Sequence, residues 1–280
     1  MTWFIYLFFF ILLLVPFIAI KPTRSRKAAM SPFTQTIIAH RGLFDNEGEA
    51  PENTLPAFKK AITGNYGIEL DVQLSADHVP IVHHDFSLKR LAHSPEKIIT
   101  KTAQELGTYP LCASTATIPT LQEVLDLVDG QVPLIIEIKN TDDNWRESAS
   151  KVAALLDAYT GLYCVEAFDP RVIRWFKKNR PQVLRGILST NFFKSKKEMS
   201  FFKKAIATHL WTNFLIGPDF IAYNYRYKNQ LFYWLCRKLY HPINAAWTVR
   251  DKETLHAVQD DFQIVICDTF LPDERSSLNH

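Results

Sequence analysis

The chain has 280 residues, 47% of them hydrophobic, with 32 Lys and Arg against 29 Asp and Glu. That length suits one large α/β domain with a sizeable core and leaves no room for a second of full size. A net charge of +3, dispersed along the chain, argues against a nucleic-acid surface. Cys112, Cys164, Cys236 and Cys267 show no CxxC spacing, which argues against zinc and a disulfide framework and reads as reduced core cysteines.

Trp3 to Ile20 contains no charged residue. At about 1.5 Å per residue the stretch reaches roughly 27 Å, close to the hydrocarbon thickness of a bilayer. Only Met1 and Thr2 precede it, where a secretory signal would carry a basic region, and Lys21, Arg24, Arg26 and Lys27 follow it. Residues 1–20 therefore read as an uncleaved single-pass transmembrane anchor with the rest of the chain cytoplasmic; a hairpin and a cleaved signal are the alternatives. Residues 21–32 read as a basic juxtamembrane linker that favours anionic lipids. The folded domain is expected over 33–280.

Ile37–Ala39 reads as a first strand running into a polar loop over 40–52. A helix follows, capped by Asn53 or Thr54, with Pro56 in its first turn, an apolar stripe of Leu55, Phe58, Ala61 and Ile62, and Gly64 closing it. Ile68–Leu74 is the next strand, Ala76-Asp77-His78 a tight turn, and Pro80–His83 a short strand returning as a hairpin. Residues 86–117 have mixed polarity without a sustained period and read as an insertion over the domain mouth.

Helices and strands then alternate, which predicts a parallel sheet. Helices are expected at 121–128, 145–159, 171–179, 196–208, 229–240 and 252–260. Strands are expected at 134–138, 163–168, 184–188, 212–216 (the weakest), 243–247 and 264–267. The strands exceed eight by one, and the hairpin partner at 80–83 is the surplus. What remains is a (β/α)8 TIM barrel with a small insertion, its site at the carboxyl ends of the strands.

Candidate chemistry concentrates between Ile37 and Asp85. His40-Arg41-Gly42 sets an imidazole and a guanidinium where a strand opens into a loop, a corner suited to phosphate. Glu69 and Asp71, two apart in a strand, point to one face and call for a cation. With Glu137 at another strand end they offer hard oxygen ligands for Mg2+ or Ca2+ rather than zinc; a solvated or salt-bridged role, Glu137 with Lys139, is the alternative. His40 and His84 suit general acid and base work, in either assignment. Arg41 can bind phosphate bidentately, and Lys139 shares the strand face of Glu137.

The ordered series HRG, Glu52-Asn53-Thr54, Glu69-Leu70-Asp71, Ile81-Val82-His83-His84-Asp85 and Ile136-Glu137-Ile138-Lys139 resembles the glycerophosphodiester phosphodiesterase family. Later landmarks follow in order: Ile118-Pro119-Thr120-Leu121, Val165 to Pro170, Ala246 to Val249 and Ile266-Cys267-Asp268. The resemblance covers roughly Ile37 to Leu271. It implies hydrolysis of a glycerophosphodiester to an alcohol and sn-glycerol 3-phosphate, assigns Glu69, Asp71 and Glu137 to a metal, and picks His84 over His83. It also implies that Trp247 lines the pocket near the alcohol portion, with core packing as the alternative reading. Three positions depart from the family pattern: His78 stands where glycine is usual, Ala167 where serine is frequent, and Arg250 where asparagine is common. An anchored member would meet lysophospholipids or other lipid-derived substrates at the membrane. Lysophospholipase D activity, phospholipase C-like cleavage and a non-catalytic phospholipid-binding scaffold are the rival readings.

Overall fold

The structure is a computed structural model and describes residues 3, 6, 14–23, 26–141, 143–196 and 198–268. Nine strands form one sheet: β1 (Ile38–His40), β2 (Gly67–Leu74), β3 (Pro80–Val82), β4 (Leu134–Ile138), β5 (Tyr163–Ala167), β6 (Leu184–Ser189), β7 (Phe220–Asn224), β8 (Ile243–Val249) and β9 (Ile264–Cys267). Their order is β1-β9-β8-β7-β6-β5-β4-β2-β3, and β1 also pairs with β2. Eight parallel strands therefore close into a barrel. The surplus strand is β3, antiparallel on β2.

Strands buried on both faces read as nearly continuous apolar runs, and every residue of β2, β4 and β6 is buried. Alternate residues divide between two cores. Leu70, Val72, Leu134, Ile136 and Val165 pack outward on the helices. Ile38, Ile135, Cys164, Phe220 and Ile264 pack inside the barrel. Helix 121–128 shows the local logic: Thr120 accepts from the Glu123 amide while the Glu123 carboxylate takes the Thr120 amide, and Leu121, Val124, Leu125 and Val128 are buried.

One strand lies elsewhere than the sequence suggests. Residues 213–216 form a short helix, ended by Gly217 at φ +53 and followed by Pro218. Left-handed glycine then proline is a helix stop, so the apolar residues before it belong to a last turn. The strand of that sector is β7, whose Phe220–Tyr223 run is wholly buried. Helix 196–208 likewise shortens to Phe201–Thr208.

The stretch Trp3–Ile20 lies largely outside the described residues, and among those described no helix is long and apolar enough to cross a membrane. Ala19 and Ile20 are buried against the barrel, so its described end faces protein. The expected linker is folded from Arg26 onward. Lys27–Met30 and Ser31–Thr34 form consecutive helical turns, and Met30 and Phe33 fill the barrel interior beside Ile38. Arg26 binds both carboxylate oxygens of Asp219 and the carbonyls of Pro181 and Val183. Lys27 donates to the His241 carbonyl. These two cations therefore secure the amino-terminal end of the barrel, where an interior layer of apolar groups needed closure.

Residues 86–117 carry a core of their own, with Leu88, Leu91, Ile98, Leu106 and Leu111 packed on Ile81 of β3. The Asp77 carboxylate accepts from the Ala103 amide and ties this unit to the hairpin turn.

Candidate active site

Strand register assembles the site. His40 stands opposite Glu69 and Asp71 opposite Glu137. Period-2 geometry turns Glu69, Asp71 and Glu137 into the barrel, where ligand oxygens of all three lie within 4.8 Å of one another. Burial and the neighbouring acids push Glu69 well above the usual carboxylate range, and burial also raises Glu137. Burial would raise Asp71 too, but Lys139 and Arg41 outweigh it and hold Asp71 low. Like charges crowded in low dielectric favour a counter-cation, and hard carboxylate oxygens fit Mg2+ or Ca2+, so these residues suit the implied metal.

Basic groups converge on the same acids. The Lys139 ammonium is 3.2 Å from both Asp71 and Glu137. Burial opposes its charge, yet Glu137 and Asp71 raise its pKa above the ordinary value. Arg41 Nε lies 3.2 Å from Asp71, Nη1 donates to Glu52 at 2.5 Å, and its backbone amide donates to Glu69 at 3.1 Å. Arg41 takes φ +58 and Gly42 φ +82. A Cβ on Gly42 would stand 2.9 Å from the Ala57 backbone, so this corner requires glycine for both conformation and space.

His40 faces Glu69 at 3.9 Å and Asp268 at 3.8 Å. Burial lowers its pKa against the pull of Asp268, which keeps the ring neutral at neutral pH. His84 Nδ1 lies 2.6 Å from Asp85 Oδ1. That carboxylate holds the ring in place from its Nδ1 side. His83 is fully buried, and burial holds it near 4, a charge state unsuited to proton exchange at pH 7. Trp247 meets Phe168 edge-on with ring centroids 5.6 Å apart. Phe168 in turn lines a cavity of about 750 Å³ that begins at Glu137 and Lys139 and runs between Ile187, Leu188 and Phe192.

Five supporting residues lie outside the expected catalytic, phosphate and metal sets. Glu52, buried at 2% exposure, accepts two bonds from Arg90 at 2.7 and 2.8 Å and one from Asn46 at 2.9 Å. Burial would raise its pKa, but these donors and Arg41 hold it at about 2. Arg90 also binds Asp85 at 2.7 Å, so it links the loop bearing Glu52 to the carboxylate that orients His84. Asn53 takes φ +59 and donates to Asp71 at 2.9 Å. Asp268 follows β9, beside His40, and accepts from Arg250 at 3.1 Å. Glu166 on β5, in register with Glu137, is buried and pushed well above the carboxylate range by burial and by Glu137. Glu52, Asn53, Glu166 and Asp268 each sit inside one of the motifs quoted above, which was the available clue; Arg90 sits in none.

The profile of the glycerophosphoryl diester phosphodiesterase family matches residues 40–185. A glycerophosphodiester phosphodiesterase of Bacillus altitudinis is 32% identical over 164 residues, a stretch covering 55% of this chain and 66% of that protein. A glycerophosphodiester phosphodiesterase structure from Thermotoga maritima superposes with a TM-score of 0.64 at 25% identity, covering 83% of this chain and 94% of the other. An Oleispira antarctica phosphodiesterase, solved with the product sn-glycerol 3-phosphate, superposes with a TM-score of 0.66 at 21% identity over 83% of this chain and 92% of its own. Barrel, acid cluster and sequence profile agree: this chain belongs to the glycerophosphoryl diester phosphodiesterase family of phosphoric diester hydrolases.

Proposed function

We propose that the protein hydrolyses glycerophosphodiesters to an alcohol and sn-glycerol 3-phosphate, with one divalent cation, Mg2+ or Ca2+. The meeting of His40 and His84 with Glu69, Asp71 and Glu137 beneath Arg41 and Lys139 carries this reading. The cation, held by the three carboxylates, would supply Lewis-acid stabilisation to the phosphoryl oxygens. Arg41 and Lys139 bind the phosphate and offset the negative charge that grows in the transition state. Of His40 and His84, one takes the proton of the attacking hydroxyl and the other protonates the leaving alkoxide. Attack by water and attack by the glycerol hydroxyl through a cyclic phosphate use the same groups.

The apolar cavity leading from Glu137 and Lys139 favours an alcohol that bears a hydrocarbon chain, hence a lysophospholipase D type of substrate. In this reading the uncharged stretch within residues 1–20 serves as a membrane anchor up to where Ala19 and Ile20 pack on the barrel, with the barrel on the cytoplasmic side. The uncharged stretch and the basic residues after it support that orientation.

The test is release of glycerol 3-phosphate by the full chain in detergent, from glycerophosphocholine and from a lysophospholipid, with Mg2+, Ca2+ or chelator. Release should need metal and fall by about 10³-fold in His40→Ala and in His84→Ala. No release from either substrate by folded, metal-supplied protein would overturn the proposal. Release of a phosphorylated headgroup instead would establish phospholipase C-like cleavage.

A further inference from the structure

One flank of the barrel is coated with apolar side chains. Phe201 and Phe202 open the helix Phe201–Thr208 at 69% and 78% exposure; Phe193, Leu231 and Trp234 are exposed too. Ring contacts join the patch: Phe202 meets Phe201 at 5.9 Å, Phe201 meets Phe193 at 5.5 Å, and Phe193 continues through His209 to Phe232. Phe232 belongs to the helix Leu231–Tyr240, whose far end reaches the amino-terminal stretch, where the Tyr240 hydroxyl donates to the Phe17 carbonyl at 2.8 Å. The apolar surface thus runs down the flank to the segment expected to enter the membrane.

The helix Phe201–Thr208 turns Phe201 and Phe202 to solvent beside Lys203, a more aromatic exposed face than a surface helix usually carries. Lys203, Ile206 and Ala207 of this helix wall the cavity that reaches Glu137 and Lys139. The described residues 194–204 carry Lys194, Lys196, Lys203 and Lys204 against a single acid, Glu198. On the far side of the barrel the helix Leu55–Thr63 is ordinary, with Ala57, Phe58 and Ala61 buried and Lys59 and Lys60 in solvent.

We propose that the flank formed by Phe193, the helix Phe201–Thr208 and the helix Leu231–Tyr240 docks on an anionic phospholipid bilayer, with Phe201 and Phe202 seated among the headgroups and the cavity opening toward lipid. Aromatic rings interleaved with lysines are the composition of an interfacial helix. A second copy of the chain would bring lysine against lysine, whereas anionic headgroups gain about fivefold in binding per lysine. Delivery of lipid into the cavity rests on the phosphodiesterase reading; the docking does not.

The experiment uses the full chain carrying Cys112→Ser, with Phe202→Cys or Lys60→Cys labelled by an environment-sensitive fluorophore, mixed with phosphatidylglycerol vesicles whose acyl chains are brominated. Emission from position 202 should shift to the blue and be quenched, while position 60 stays unchanged. Adding Lys203→Glu and Lys204→Glu should weaken the vesicle-dependent signal by more than about tenfold. Equal solvent exposure of the two probes on vesicles overturns the docking, and so does a blue shift that grows with protein concentration in the absence of lipid, which would mark a contact between copies. Phe201→Ser with Phe202→Ser should cut turnover of vesicle-borne lysophospholipid about tenfold and leave soluble glycerophosphocholine within about twofold. Equal loss on both substrates overturns delivery. If the parent chain hydrolyses neither, the phosphodiesterase reading fails while the fluorescence still decides the docking.

Discussion

The two ends of the barrel handle buried charge in opposite ways. At the amino-terminal end Asp219 is matched: Arg26 binds both its oxygens, and the Arg185 amide donates to it at 3.0 Å. At the carboxyl end Glu69, Asp71, Glu137 and Glu166 crowd together, and Lys139 and Arg41 must be shared among them. The matched acid contributes to stability. The crowded acids repel one another and call for a bound cation, so burial by itself does not tell the two kinds of carboxylate apart. The count of partners per charge does.

Paired substitutions separate the two ends most sharply. Asp219→Asn leaves the Arg26 guanidinium with a weakened partner over an apolar plug and should cost about 3 kcal/mol, read as a fall in unfolding midpoint, with turnover unchanged. Glu69→Gln should do the reverse. It removes a carboxylate that its neighbours already disfavour, so the metal-free protein should be as stable as the parent or more so, while metal-dependent turnover falls by about 10²-fold or more. Loss of stability without loss of activity in Glu69→Gln would break the comparison.

The same contrast explains what the sequence could reveal. Glu69, Asp71 and Glu137 lie on strands whose alternation is plain, so their shared face follows from spacing, and the structure brings them within 4.8 Å. The pairing of Arg90 with Glu52, and of Asp268 with His40, joins residues that only barrel closure and the packed insertion bring together. No local pattern encodes those contacts. In β7 the run Phe220–Tyr223 follows a Gly217-Pro218 stop, and that stop is the local signal that parts the strand from the helical turn before it. Arg26 was legible as a cation but not as a paired one, because its partner lies 193 positions away.

Glu52 sharpens the comparison from the side of pH. Its pKa falls from an ordinary 4.5 to about 2 in the folded chain, so it binds fewer protons folded than unfolded at acid pH. The stability it contributes is complete above 4.5 and drains as pH falls toward 2. By linkage the loss is about 2 kcal/mol at pH 3 and about 3 kcal/mol when complete. Glu52→Gln should be less stable than the parent at pH 7, and the gap should narrow by that amount between pH 6 and pH 3 in parallel thermal melts. A gap independent of pH would mean that Arg90 and Arg41 do not depend on the charge of Glu52.

The smallest expected effect concerns backbone strain, which also differs between the site and the surface. Arg41 and Asn53 take positive φ inside the site, where the Arg41 amide donates to Glu69 and the Asn53 side chain to Asp71. His78 takes φ +59 in the exposed turn between β2 and β3, where its ring meets Glu147 at 2.9 Å. A left-handed conformation costs a branched backbone about 1–2 kcal/mol, and glycine returns about 0.5–1 kcal/mol of that through its extra unfolded-state entropy. An exposed His–Glu contact adds roughly 0–1 kcal/mol at most. His78→Gly should therefore raise stability by about 0.5 kcal/mol, a midpoint shift of about 1 °C, with turnover unchanged. A fall in midpoint would show that the Glu147 contact outweighs the strain and that this departure from glycine is compensated locally.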